Sequence, residues 1–170
     1  AITCDVQKMY HQFRVNERHH DYLRFLWWEG GDLSKSPTDY RMKVHIFGAT
    51  SSPGCANFGL KQIARDHKDM SQEAADFLHR NFYVDDGLKA ENTAAEAIEV
   101  LSKARAMCQK ANLRLHKVTS NSTEVMESVP ESERAKSTQT NVEIDRGREE
   151  MENTLGLQWC TQNDTFCFKL

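Results

Sequence analysis

Residues 81–87 read Asn-Phe-Tyr-Val-Asp-Asp-Gly, and this run limits what the chain can fold into more than any other segment. Asn81 to Val84 is a short strand-like stretch that ends abruptly in two adjacent carboxylates, Asp85 and Asp86, followed by Gly87. Two like charges side by side at a strand end repel each other and favour no core. A cation held between them and a further acid resolves the repulsion. Asp5 can be that acid, because it ends a second short apolar run, Ala1-Ile2-Thr3-Cys4. Two carboxylate-tipped strands that meet make a site for Mg²⁺. That is the minimal equipment for two-metal phosphoryl transfer. Strand alternation predicts that Tyr83 and Asp85 share a face, with Asp86 at the turn and Gly87 letting the backbone double back. An isolated Asp-Asp pair is ordinarily a solvated turn. Tyr83 before the pair and Asp5 upstream argue against that reading here.

The chain has 170 residues, enough for one domain with a real core. Its net charge of −3 gives no bulk electrostatic sign of a nucleic-acid binder, although an acidic floor is compatible with local basic faces. No apolar run approaches the roughly 20 residues of a membrane span, so no membrane partner is expected. No signal peptide is visible. The cysteines number five, an odd count with no Cys-x-x-Cys spacing, and read as reduced, mostly buried intracellular thiols. His19-His20 is the only adjacent pair among seven histidines and has no third ligand at zinc spacing. The chain opens on Ala1 inside one strand pattern and closes on Thr165–Leu170 inside another. Both ends lead us to expect a piece of a longer polyprotein or a truncated copy.

The remaining pattern predicts an α+β domain. Met9, Tyr10 and Phe13 recur at helical spacing. Residues 22–28 are aromatic and strand-prone. Tyr40, Met42, Val44 and Ile46 alternate with Arg41, Lys43 and His45, which predicts a half-buried strand and an antiparallel hairpin. Its basic face is either solvated surface or a contact for a template backbone. Ser52 as N-cap and Pro53 as first helical residue start a helix with Ala56, Leu60, Ile63 and Ala64 on its apolar face. A second helix is expected over 71–78. Thr93-x-x-Glu96 is a capping box, followed by Ala94, Ala97, Ile98, Leu101, Ala104, Cys108 and Ala111 at helical spacing. Residues 113–118 read as a strand and 119–153 as a long polar connection. The final segment, 154–170, reads as a hairpin turning near Gln162-Asn163-Asp164.

Taken in order, these segments resemble the palm of a reverse transcriptase, an RNA-directed DNA polymerase, most closely that of the Pao/BEL group of long-terminal-repeat retrotransposons. Asp5-Val-Gln-Lys-Met-Tyr10 resembles the first palm motif. Leu23-Arg-Phe-Leu-Trp-Trp28, Tyr40-Arg-Met and Phe47-Gly-Ala-Thr-Ser-Ser-Pro53 resemble the next segment. Tyr83-Val-Asp-Asp86 matches the family signature. Leu115 and Lys117 with Ser120-Asn121 resemble the fourth motif, and Leu155-Gly-Leu-Gln-Trp159 the primer-contacting segment. Each motif alone is weak, and their order makes the likeness specific.

The resemblance implies an antiparallel palm sheet with a ferredoxin-like core, helices on one face and part of the fingers hairpin. It implies that Asp5 and Asp85 hold two Mg²⁺ ions, with Mn²⁺ as a substitute, that Asp86 stands nearby, and that the Val6 carbonyl adds a ligand. Tyr10 would exclude a 2′-hydroxyl, while Phe47 and Gly48 line the nucleotide pocket. Phe47 departs from the glutamine that many relatives carry. Tyr83, Gly156 and Trp159 would meet primer and template, and Lys117 would act as general acid on pyrophosphate. The implied partners are an RNA or DNA template with its primer, deoxynucleotides and the rest of the polyprotein, in a cytoplasmic retroelement particle. The N-terminal part of the fingers and the thumb are not recognisable, so the chain alone is expected to be weakly active or inactive. Two other readings stay open: a catalytically inactive remnant, either a decaying copy or a reused nucleic-acid-binding module, and a metal-dependent phosphohydrolase. Intact Asp5, Asp85 and Asp86 weigh against the first. The absence of an ordered set of histidines or further acids weighs against the second.

Overall fold

The structure is a computed structural model that describes residues 1–135, 151–154 and 157–167. In chain order its elements are β1 (Ile2–Val6), α1 (Met9–Gln12), β2 (Arg24–Trp27), β3 (Thr38–Arg41), α2 (Ser52–Asp66), α3 (Gln72–Arg80), β4 (Phe82–Tyr83), β5 (Asp86–Lys89), α4 (Ala94–Lys110), β6 (Leu115–Ser120), α5 (Thr123–Ser128), β7 (Met151–Thr154), β8 (Leu157–Cys160) and β9 (Thr165–Cys167). The chain is α+β, as the pattern predicts. It divides into two compact units, one of Ala1–Gln7 with Leu60–Leu170 and the other of Lys8–Gly59. Among the described residues no helix is long and apolar enough to cross a membrane.

The larger unit is built on a four-stranded antiparallel sheet in the order β4-β5-β1-β6. The sequence explains why β1 is central. Ile2, Cys4 and Val6 are all buried, and Thr3 on the other face is buried too, so this strand has neighbours on both edges. Helix α4 starts at the capping box: Glu96 N–H donates to Thr93 Oγ1 at 3.2 Å, and Thr93 N–H donates to Glu96 Oε2 at 3.0 Å. Ala97, Val100, Leu101, Ala104, Met107 and Cys108 form its buried face. Small residues at Ala97 and Ala104 let the helix approach closely. Cys108 lies near enough to Cys4 to perturb its thiol, so α4 covers the face of β1 that carries Cys4. Helix α3 is capped by Ser71, whose hydroxyl accepts from Ala74 N–H, and it buries Phe77 and Leu78.

The polar connection expected over 119–153 begins with more order than its composition suggests. Thr119 and Ser120 extend β6 and are buried, and Ser122 caps the short helix α5. Its residues 136–150 lie outside the described residues. The final hairpin pairs β8 with β9 around residues 161–164, as expected, and β7 adds a third strand.

The smaller unit contains the aromatic hairpin of β2 and β3. Here the expectation needs one correction, to the length of the strand. Every residue of β2 and β3 is exposed, but further along the expected strand Met42, Val44 and Ile46 are half-buried while Arg41 and Lys43 are exposed, as the alternation predicts. The strand predicted to run through Ile46 leaves the ladder after Arg41 because the chain changes partner. Met42 N–H still donates to Leu23 O at 3.0 Å, whereas Lys43 O accepts from Val15 N–H at 2.9 Å and His45 N–H donates to Phe13 O at 3.0 Å. The alternation in the sequence reflects extended backbone shared between two neighbours. Arg24 and Arg41 stand opposite each other in the hairpin, a like-charge pair. Asp21 Oδ1 accepts from both guanidinium groups at 2.9 Å, and these two bonds hold its carboxyl below the usual range.

Candidate active site

The sheet register aligns one row of polar side chains across all four strands. Tyr83 of β4 pairs with Asp86 of β5, Asp86 pairs with Asp5 of β1, and Asp5 pairs with His116 of β6. Directly opposed residues of antiparallel strands share a face. Tyr83, Asp86, Asp5 and His116 therefore form one row on the face opposite Cys4 and Val6. Val6 N–H donates to the Asp85 carbonyl at 2.9 Å, which marks Asp5 and Asp86 as the closer, non-hydrogen-bonded type of pair.

The tip of the signature hairpin differs from expectation. Val84 and Asp85 are the two turn residues, and Asp86 already lies in β5. The reason is the backbone of Val84, whose φ of 57° closes a two-residue turn one position earlier than Gly87 would. Gly87 has another role. A Cβ at this position would lie 2.6 Å from Phe82 Cζ, so the glycine lets the Phe82 ring lie across β5. Phe82 in turn packs against Phe77 of α3, with ring centroids 5.1 Å apart. Thus α3 braces the hairpin, and the Val6–Asp85 hydrogen bond ties its tip to β1.

Asp5 has a side-chain partner on each carboxylate oxygen. His116 Nε2 lies 2.9 Å from its Oδ1, and Lys117 Nζ donates to its Oδ2 at 3.0 Å. An ionised carboxylate only accepts, so His116 Nε2 carries the hydrogen of that bond. Neither the sequence pattern nor the motif spacing points to His116. It becomes visible only through the register that sets it beside Asp5. On the opposite face, the Cys4 thiol is pushed far above its usual range, chiefly by burial and then by Cys108, Asp5 and Asp86. It is an inert core thiol rather than a ligand. Cys108 and Cys160 are buried as expected, while Cys55 and Cys167 are exposed.

The other expected site residues fall into separate places. Tyr10 and Phe47 meet in the smaller unit in an edge-to-face contact, with centroids 4.8 Å apart. Gly48 follows at φ 85°, a conformation that favours glycine. Tyr83 is exposed. Trp159 is fully buried, stacks on Phe166 and donates from Nε1 to Asp164 Oδ1 at 3.0 Å, so it anchors its hairpin. Gly156 lies outside the described residues.

Among the described residues no three His, Cys, Asp or Glu side chains converge as a ready cage for a metal ion. Of the expected ligands, the register sets Asp86 rather than Asp85 opposite Asp5, while Asp85 lies in the turn beside Val6; the paired carboxylates are hard oxygen ligands. Mg²⁺ is commonly held by one or two carboxylates, with water and substrate phosphates completing its shell. The donor set fits that mode of binding. Models of known protein families give no match to the chain, and neither do curated protein sequences.

Proposed function

We propose that the chain is the catalytic palm of a retroelement reverse transcriptase, which extends a primer with deoxynucleotides on an RNA template. The observation that carries this reading is the register of Asp5 opposite Asp86, with Asp85 at the tip beside Val6. The motifs that resemble the family signature and its first aspartate are far apart in sequence, yet they meet in one sheet. The element order adds support. A β-α-β-β-α-β path with sheet order β4-β5-β1-β6 is that of a ferredoxin-like core, the architecture expected of a polymerase palm.

In this reading Asp5 and Asp85 bind two Mg²⁺ ions, with Asp86 alongside and the Val6 carbonyl as a further donor. Bound divalent ions lower the pKa of the attacking primer hydroxyl and neutralise charge on the departing pyrophosphate. Tyr83, exposed at the end of the polar row, meets the primer terminus. Tyr10 limits space at the 2′ position of the incoming sugar, its ring held in place by Phe47. Lys117 gives a proton to the pyrophosphate. Trp159 acts on the primer through the shape of its hairpin. The partners are primer, template, deoxynucleotides and the remaining parts of a retroelement polyprotein.

The test is RNA-templated primer extension by the polypeptide that carries this chain. Asp5→Asn and Asp85→Asn each reduce the rate by about two to three orders of magnitude. Native rates in both variants refute the assignment. A smaller residue at Tyr10 raises ribonucleotide incorporation, and unchanged sugar selection removes Tyr10 from that role.

A further inference from the structure

Neighbouring residues of a regular strand point to opposite faces. His116 and Lys117 are neighbours in β6, yet both bind Asp5. A bulge makes this possible. The register between β1 and β6 runs Ile2–Ser120 and Thr3–Thr119, then shifts to Asp5–His116 and Val6–Leu115. Cys4 therefore faces both Lys117 and Val118, and the extra residue on β6 is accommodated by Lys117 at φ 49°. This left-handed conformation is unfavourable for a side chain other than glycine. The distorted residue is the one that carries the ammonium to Asp5.

The two partners of Asp5 differ in freedom. The side chain of Lys117 is 60% exposed, whereas those of His116 and Asp5 are each 19% exposed. Lys117 lies on the solvent side of the carboxylate and can withdraw without disturbing the core. His116 is enclosed and stays on Oδ1. Asp5 also faces Asp86, and that like-charge pair benefits from a nearby positive charge.

We propose that Lys117 is the resident counter-ion of the Asp5–Asp86 pair, occupying Asp5 Oδ2 until a divalent cation takes its place. His116 keeps the carboxylate oriented during the exchange. The released ammonium is then free to reach a phosphate on the solvent side. This inference rests on the reading of Asp5 as a cation ligand. It adds that the site is closed by its own lysine before the ion arrives, so ion binding and lysine release are one event.

The test measures Mn²⁺ binding by electron paramagnetic resonance of the free ion, with thermal unfolding as a second readout. The proteins are the native chain, Lys117→Met, Lys117→Gln and Asp5→Asn. Methionine and glutamine remove the charge while keeping an unbranched side chain at the same strained φ. Losing an exposed ion pair that competes with the metal tightens Mn²⁺ binding about three- to tenfold in both variants. Their melting temperatures also rise more on adding Mn²⁺ than that of the native chain. Either Lys117 variant suffices if the other does not fold. Equal or weaker binding in the Lys117 variants, with native binding that depends on Asp5, overturns the exchange and leaves the reading of Asp5 intact. Binding that is absent from the native chain or unaffected by Asp5→Asn overturns both.

Discussion

Asp5 and Asp86 stand directly opposite each other on adjacent antiparallel strands, and only Asp5 also faces a strand that brings it His116 and Lys117. The two acids therefore differ in their effect on the fold. Asp5→Asn gives up charge-assisted bonds and lowers stability by about 1–2 kcal/mol, the lower part of the range because Lys117 is exposed. Asp86→Asn relieves the same like-charge pair and leaves the His116 and Lys117 bonds to Asp5 in place, so it costs less. Urea unfolding without divalent ions reads both. Equal losses in the two variants would show that the acids do not divide their roles in this way.

A methyl group at Gly87 has no space beside the Phe82 ring. Gly87→Ala costs about 1–3 kcal/mol through displacement of that ring. Phe82→Leu on its own costs stability by loosening the packing on Phe77. Combined, the changes cost less than their sum by at least about 0.5 kcal/mol, because the smaller side chain gives the new methyl group room. A double-mutant cycle in urea measures the coupling. Strict additivity would mean that Gly87 serves the turn and not the ring.

Much of this arrangement was legible in the sequence where the signal is local. The Thr93 capping box, the helical spacing that follows it and the turn near Asn163 each act over a few residues, and each is found where its pattern lies. That Asp5 and the Asp85-Asp86 hairpin lie on neighbouring strands was legible from the short apolar runs that precede these acids. The turn position was not legible, since Val84 is a poor candidate for a positive φ and sequence rules give that role to Gly87. The bulge at Lys117 and the part played by His116 depend on register between strands far apart in the chain, and no local pattern encodes that. The change of partner after Arg41 was hidden for a similar reason. Alternation from Tyr40 to Ile46 does mark Met42, Val44 and Ile46 as the more covered positions, but not which neighbour the backbone pairs with.

Burial pushes the Cys108 thiol from 9.0 up to about 12. A raised folded-state pKa means that the folded protein keeps a proton which the unfolded chain loses. The resulting stability is fully present below about pH 9 and is lost as pH rises toward about pH 12. Cys4 shifts in the same direction. Urea midpoints measured between about pH 8 and about pH 11 fall, and Cys108→Ala makes the fall shallower. An unchanged slope in the variant would show that Cys108 is not the group responsible. In the native fold, thiol reagents label exposed Cys55 and Cys167 before Cys108.

Val84 and Lys117 are both non-glycine residues at positive φ, 57° and 49°, and they lie on either side of the same acid pair. Backbone strain is found at sites where a side chain or turn is aimed for use. At Val84 the cost is about 1–2 kcal/mol, and β-branching adds to it. Asparagine tolerates this conformation, so Val84→Asn raises stability by about 1 kcal/mol. Glycine gains less because it also frees the unfolded chain. Chemical unfolding of both variants tests the order. If the strained turn aims Asp85, Val84→Asn binds Mn²⁺ more weakly than the native chain even though it is more stable. A variant that is less stable than the native chain would show that the valine side chain contributes more by packing than its backbone costs.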